Sequence, residues 1–187
     1  FKPLGDVSVS AVLDMILENV PLFNQMTRLQ LREFMLESTL HQPKKGSVIF
    51  HKGDYTSTFF AIVQGGVGIE LVNKDGKPFI LNLDKGNYFG EMGLISGRRR
   101  TATVYAGNNC VLIETPRKAM LKLIASVDAV RRTLDETFVR RALSTHLAPQ
   151  LEPQEIEQLI ASGISVTRYV RGEKLFSEGD KTDGLHL

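Results

Sequence analysis

Residues 88–104 read Tyr88-Phe89-Gly90-Glu91-Met92-Gly93-Leu94-Ile95-Ser96-Gly97-Arg98-Arg99-Arg100-Thr101-Ala102-Thr103-Val104. Gly90 lacks a Cβ, so the backbone there can turn sharply or come close to a ligand. Met92 to Ile95 suit one short helical turn after it. The start of such a turn offers unpaired N–H groups and the positive end of a helix dipole, which together favour an anion. Arg100 follows the loop and enters the next apolar run, where a guanidinium can fork onto two oxygens of a phosphate. Glu91 sits where an anion would repel it. A carboxylate in that place makes sense as the acceptor of a hydroxyl, such as that of a ribose. One short cassette could hold a phosphate and a sugar hydroxyl together.

Plainer readings compete at each position. Arg98 and Arg99 suit a solvated loop. Glu91 could merely complement the helix dipole, and Gly90 and Gly93 could be simple turn residues. Cys110, in an apolar run, reads as a small buried hydrophobe. His41, His51, His146 and His186 have no spacing suited to a shared metal, so no metal site is expected. No nucleophile lies beside a base, so no catalytic residues are assigned and no enzyme activity is expected.

The elements that must position the cassette follow from texture. Residues 7–40 carry apolar side chains near a helical period, with Pro21 splitting two pieces. From Gln42 to about Thr115, short apolar runs alternate with glycines, the look of an antiparallel roll. Asn73-Lys74-Asp75-Gly76 reads as a tight primed hairpin turn. Helix returns at Pro116, and Val127, Val130, Leu134, Phe138, Ala142 and Leu143 suit a long helix over 127–146. The expected class is α+β, mainly β: a β-roll of jelly-roll type flanked by N-terminal helices and a long C-terminal helix.

The 187 residues carry 23 Lys and Arg against 21 Asp and Glu, a net charge of +2, with 42% hydrophobic and 24% charged residues. Disorder is excluded as the default. No apolar stretch reaches the roughly 20 residues of a membrane span, and no signal-peptide pattern opens the chain. The chain starts at Phe1 rather than Met, as a segment of a longer product would. A single cysteine forbids an intramolecular disulfide and suits a cytoplasmic setting.

An internal repeat organises the C-terminal part. Arg171-Gly172-Glu173-Lys174-Leu175-Phe176-Ser177-Glu178-Gly179-Asp180 matches Lys45-Gly46-Ser47-Val48-Ile49-Phe50-His51-Lys52-Gly53-Asp54 at an offset of 126 residues. Ile156, Leu159 and Ile160 match Leu31, Phe34 and Met35 at an offset of 125. Such self-similarity points to two copies of one domain: 1–146, and the start of a second, incomplete copy over 147–187. The same segment imitates a helix-turn-helix, with a Gly163-Ile164-Ser165 turn followed by Thr167 and Arg168. The repeat explains these residues better, since Val166–Val170 alternates like a strand.

The cassette closely resembles the phosphate-binding cassette of cyclic-nucleotide-binding domains, F-G-E-x-[AG]-L, a short loop, then R-[TAS]-A-[TS]-V. Gly46, Gly53-Asp54, Phe59 to Val63 and Gly65-x-Val67 are similar to the family's earlier strand pattern, so the resemblance covers about 15–145. It implies that Arg100 binds the cyclic phosphate, aided by the amides of Gly93 and Thr101 within the run Gly90, Glu91, Met92, Gly93 to Arg100, Thr101, Ala102. It implies that Glu91, with the backbone of Gly90, takes the ribose 2′-hydroxyl. Thr101 permits cGMP without demanding it. The base is expected against Val67, Ile69 and Leu81, with Phe138 as candidate lid, or equally core, and Arg141 behind it. The implied ligand is cAMP or cGMP, without metal. The implied function is a sensor that regulates an attached or partner effector through the long helix, also a candidate homodimer contact. Two rivals stand beside it: a transcription regulator with a C-terminal helix-turn-helix, disfavoured because the repeat accounts for that segment, and a non-binding scaffold, disfavoured because Arg100 and Glu91 are both present.

Overall fold

A computed structural model of the chain describes residues 9–73, 75–96, 99–163, 166, 167, 169 and 171–181. Helix α1 (Val9–Asn19), a 3-10 turn at Pro21–Phe23 and α2 (Arg28–Leu36) come first. Thr27 caps α2 reciprocally: its Oγ1 accepts from Gln30 N at 3.2 Å, and the Gln30 side chain accepts from Thr27 N at 2.9 Å. Eight strands follow: β1 (Thr39–His41), β2 (Val48–Phe50), β3 (Phe59–Gln64), β4 (Gly66–Val72), β5 (Pro78–Asp84), β6 (Tyr88–Phe89), β7 (Thr103–Ala106) and β8 (Val111–Thr115). The short α3 (Glu91–Ser96) interrupts them, and α4 (Arg117–Ser126), α5 (Asp128–Ala142) and α6 (Pro153–Ala161) end the described secondary structure.

The strands form two four-stranded antiparallel sheets, in the orders β1-β8-β3-β6 and β2-β7-β4-β5. The first sheet is covered on both faces. Phe59, Ala61, Val63, Tyr88 and Ile113 join a core with the helices, while Phe60, Ile62, Phe89 and Leu112 line the inside of the roll. That is why Phe59-Phe60-Ala61-Ile62-Val63 is apolar without alternation: a strand buried on two sides has no polar face to show. The second sheet is covered on one face only. Ile69 pairs with Leu81 and with Val104, and Val104 pairs with Phe50, so these four side chains form one row across the sheet. Since directly opposite residues share a face, the row looks into the roll together with the buried Phe50 and Val104.

Three local expectations need correction. The helical texture of 7–40 runs too far: α2 stops at Leu36, and Thr39–His41 pairs with β8. The β4–β5 connection is not a two-residue primed turn on Asp75-Gly76. It is closed by Asn73, whose N donates to Lys77 O at 2.9 Å and whose Oδ1 accepts from Asp75 N and Lys77 N; Gly76 alone among its described residues has positive φ. The Asn side chain replaces the backbone contacts that a tighter turn would make. The long helix begins at Asp128 after a break at the extended Val127, and passes into a π-helical turn at Leu143–Leu147.

No strand occurs among the described residues of 162–181; Arg168 and Val170 of the expected strand Val166–Val170 lie outside them, as do Ile164 and Ser165 of the turn before it. The repeat nevertheless appears in the backbone. Gly46 and Gly172 have φ of +80° and +91°, and Gly53 and Gly179 both have +92°. Asp54 Oδ2 accepts from His51 N at 2.8 Å, as Asp180 Oδ2 does from Ser177 N at 2.6 Å.

Helix α5 is held to the roll by Val130 and Leu134, both fully buried in the core that contains Phe59 and Ala61. Leu134→Ala removes a buried side chain where the packing cannot collapse freely. It is expected to cost about 2–5 kcal/mol, read as a fall in the urea midpoint at unchanged slope.

Candidate functional site

The cassette forms where β6 runs into α3. Gly90 turns the chain at φ +89°, and a Cβ there would lie 2.7 Å from Thr58 O and 2.8 Å from Arg100 Nη1. Only glycine leaves room for the arginine. The first intrahelical bond of α3 runs from Leu94 N to Gly90 O, so the amides of Glu91, Met92 and Gly93 precede the helix's own ladder. Arg117 Nε donates to Leu94 O at 3.1 Å and so braces α3 from α4.

Arg100 is 4% exposed. Its guanidinium lies 4.0 Å over the Phe50 ring and 5.9 Å from that of Phe60, so it sits at the seam of the two sheets. Nε donates to Thr56 Oγ1 at 2.9 Å, Nη2 to Thr58 O at 2.7 Å and to Thr58 Oγ1 at 3.1 Å, and Nη1 to Gly90 O at 3.4 Å. Burial lowers its pKa to about 10, against the opposing pull of Glu114, Glu91 and Asp54. It therefore stays a cation at neutral pH.

Glu91 is fully buried. Its Oε2 accepts from Arg141 Nη1 at 2.7 Å, and Arg141 Nη2 donates to Tyr88 O at 3.0 Å. Its Oε1 has no hydrogen-bond partner among the described residues. A buried carboxylate oxygen without a donor is costly and asks for one. The Tyr88 hydroxyl lies 2.5 Å from Thr137 Oγ1 on α5, and its burial raises its pKa. Helix α5 thus grips the cassette at Tyr88 and at Glu91.

The structure brings Gly90, Glu91, Met92, Gly93 and Arg100 together. Thr101 follows, exposed, and Ala102 is buried. Arg99 is exposed and stacks over the Tyr55 ring at 3.6 Å; Arg98 lies outside the described residues. Of the expected base contacts, Ile69 and Leu81 are opposite each other on the inner face, Leu81 with 42% of its surface open. Val67 is on that face too, but buried in the roll's core. Phe138 packs with Val139, Leu143 and Ile156 between α5 and α6, and Arg141 is engaged by Glu91. The reading by residues missed Thr56, Thr58, Tyr88 and Thr137. The first two carry a faint signal, since Thr56, Thr58 and Phe60 are spaced i, i+2, i+4 on the approach to a strand. Among the described residues no cluster of His, Cys, Asp or Glu could hold a metal, and no helix is long and apolar enough to cross a membrane.

Comparison with known proteins agrees with this geometry. The family described as cyclic nucleotide-binding domain matches residues 40–127. The chain is 30% identical over 113 residues, 59% of its length, to the cAMP-activated global transcriptional regulator CRP of Salmonella typhimurium, and spans 54% of that protein. It is 29% identical over 96 residues, 51% of its length, to the cAMP-dependent protein kinase regulatory subunit of Mycosarcoma maydis, of which that covers 18%. The crystal structure of the sensor domain of the transcriptional regulator DNR from Pseudomonas aeruginosa has the same fold, with a TM-score of 0.60 at 22% identity over 72% of this chain and 91% of that one.

Arg140 and Arg141 are neighbours with opposite environments. Arg140 makes an exposed bidentate pair with Glu157, at 2.6 and 3.0 Å. Arg141→Met strands the buried Glu91 carboxylate and is expected to cost about 3 kcal/mol or more. Arg140→Met should cost under about 1 kcal/mol. Chemical denaturation of the two variants side by side checks the contrast.

Proposed function

We propose that this chain, whose residues 40–127 are a cyclic nucleotide-binding domain, acts as a receptor for a purine cyclic nucleotide, cAMP or cGMP, and passes the state of its site to an effector through α5. The observation that carries this reading is the unpartnered, buried Glu91 Oε1 beside an arginine at the start of α3. A ribose 2′-hydroxyl is the kind of donor that Oε1 lacks. The cyclic phosphate would lie between Arg100 Nη1 and the amides at the start of α3, with Thr101 N. The row from Phe50 through Val104 and Ile69 to Leu81 would carry the rest of the nucleotide outward, the base resting on Ile69 and the open Leu81. The exposed Thr101 hydroxyl is free to meet a guanine amino group, which leaves both purines admissible.

The coupling has a physical route. A ligand shifts an equilibrium only through contacts that differ between two states. A hydroxyl on Glu91 Oε1 changes the carboxylate that holds Arg141, and a phosphate on the cassette changes α3, which Glu91 ties to α5 through Arg141 and Leu94 ties to α4 through Arg117. A DNA-reading use of the C-terminal segment is disfavoured. Among the described residues there, α6 presents Glu155 and Glu157 and no Lys or Arg, whereas duplex binding rests on cations against phosphates.

The same reading takes 147–187 as the opening of a second domain of this kind. Its support is the repeated backbone at Gly172 and Gly179, and the exposure of Leu175 and Phe176, 54% and 65%, where their counterparts Ile49 and Phe50 are covered. In this chain Leu175→Asp should change stability by under about 0.5 kcal/mol, while Phe50→Asp lowers the melting temperature sharply. A collapse on Leu175→Asp would instead assign the segment to the first domain's core.

Calorimetric titration of cAMP and cGMP into the nucleotide-stripped chain tests the receptor reading. Arg100→Ala, with an unchanged circular dichroism spectrum, should weaken binding by about 30-fold or more, the loss typical of one partner in a desolvated charge pair. No binding by the unsubstituted chain would overturn the receptor in favour of a scaffold.

A further inference from the structure

We propose that Thr56 and Thr58 are positioning residues for the phosphate: their oxygens hold one edge of the Arg100 guanidinium so that the remaining Nη1 is aimed at the ligand. This rests on the receptor reading above and adds the residues that set the arginine's aim. Arg100 has five N–H donors. Nε and Nη2 bond at 2.7–3.1 Å to Thr56 Oγ1, Thr58 Oγ1 and Thr58 O, all on the segment between β2 and β3. Among the described residues Nη1 has only the long 3.4 Å contact to Gly90 O, and it lies against Gly90 at the mouth of α3. The arginine is thus pinned on one side and open on the other, and the open side faces the cassette.

The segment that pins it is itself fixed. Gly53 N donates to Arg100 O at 2.8 Å, and Arg100 N donates to Asp54 O at 2.9 Å. Asp54 Oδ2 closes the turn on His51 N, and Lys52 N donates to Thr103 Oγ1 at 3.1 Å. Two and four residues beyond Asp54, Thr56 and Thr58 reach the guanidinium, and Phe60, at the start of β3, lies near it as well. A flexible arginine able to meet its ligand in many rotamers would lose that freedom on binding. Here the freedom is already gone, so binding is less opposed by entropy. The hydroxyls accept from a cation, the stronger class of hydrogen bond.

The test uses Thr56→Val, Thr58→Val and the double variant, which keep the side-chain shape and lose the hydroxyl. Each is titrated with the preferred cyclic nucleotide and with its phosphate-free nucleoside, and Thr→Ser variants are run beside them. The expected result is cyclic-nucleotide affinity about tenfold weaker or more in the double variant, nucleoside affinity unchanged, and recovery in the serine variants. Equal loss of cyclic nucleotide and nucleoside would mean a merely structural contribution and overturn the inference. Unchanged binding of the cyclic nucleotide by the valine variants would overturn it as well, with the receptor reading intact. Failure of the unsubstituted chain to bind any cyclic nucleotide would overturn both.

Discussion

A guanidinium taken out of water must be met by acceptors and by ring faces, and Arg100 imposes that requirement on the whole roll. Its charge rests between Phe50 of one sheet and Phe60 of the other, so the two sheets have to close over it together. Its donors need Thr56 and Thr58, so the segment between β2 and β3 must be shaped and anchored to reach them. Its tip needs the space above Gly90, so the chain must enter α3 through a residue without a Cβ. Burial bears down on this cation enough to bring its pKa to about 10. In a receptor of the proposed kind, a bound anion at Arg100 would relieve that cost.

Much of this was legible in the residues. The glutamate and arginine of the cassette stood out because a carboxylate and a cation flank a short turn suited to an anion, and the short helix after Gly90 formed where expected. The change from helical to strand texture near residue 42 was visible too, within a few residues. What escaped is what sequence spacing does not encode. Thr39-Leu40 is indistinguishable from a helix end until Glu114 and Ile113 are seen opposite it. Asn73 closes its loop with a side chain, which an Asp-Gly pattern conceals. Phe138 fits a stripe that could cover a ligand or a helix, and Ile156, with which it packs here, belongs to another element.

The pair of Glu91 with Arg141 spans 50 residues of sequence, and nothing in either neighbourhood announces it. Its logic appears only after folding. A carboxylate buried as Glu91 is would be intolerable in the dry interior by itself, so a cation from α5 accompanies it. The cassette and α5 are therefore joined by a charge pair. The two sheets divide the labour in a related way. The sheet sealed on both faces is a rigid floor shared with the helices, and the sheet with one open face presents the row ending at Leu81.

Arg140 and Arg141 have a consequence that concerns phase rather than distance. Successive residues on a helix point about 100° apart, so one neighbour reaches the cassette while the other reaches Glu157 on α6. Turning α5 about its own axis moves both grips at once, in a fixed ratio, as an axle does. Sliding it lengthwise would break both. In a receptor of the proposed kind, what travels down the chain is an angle. A tether after α6 could then vary in length without losing the message, whereas one residue added within α5 beyond Arg140 would turn Arg141 away from Glu91 and disconnect the two ends.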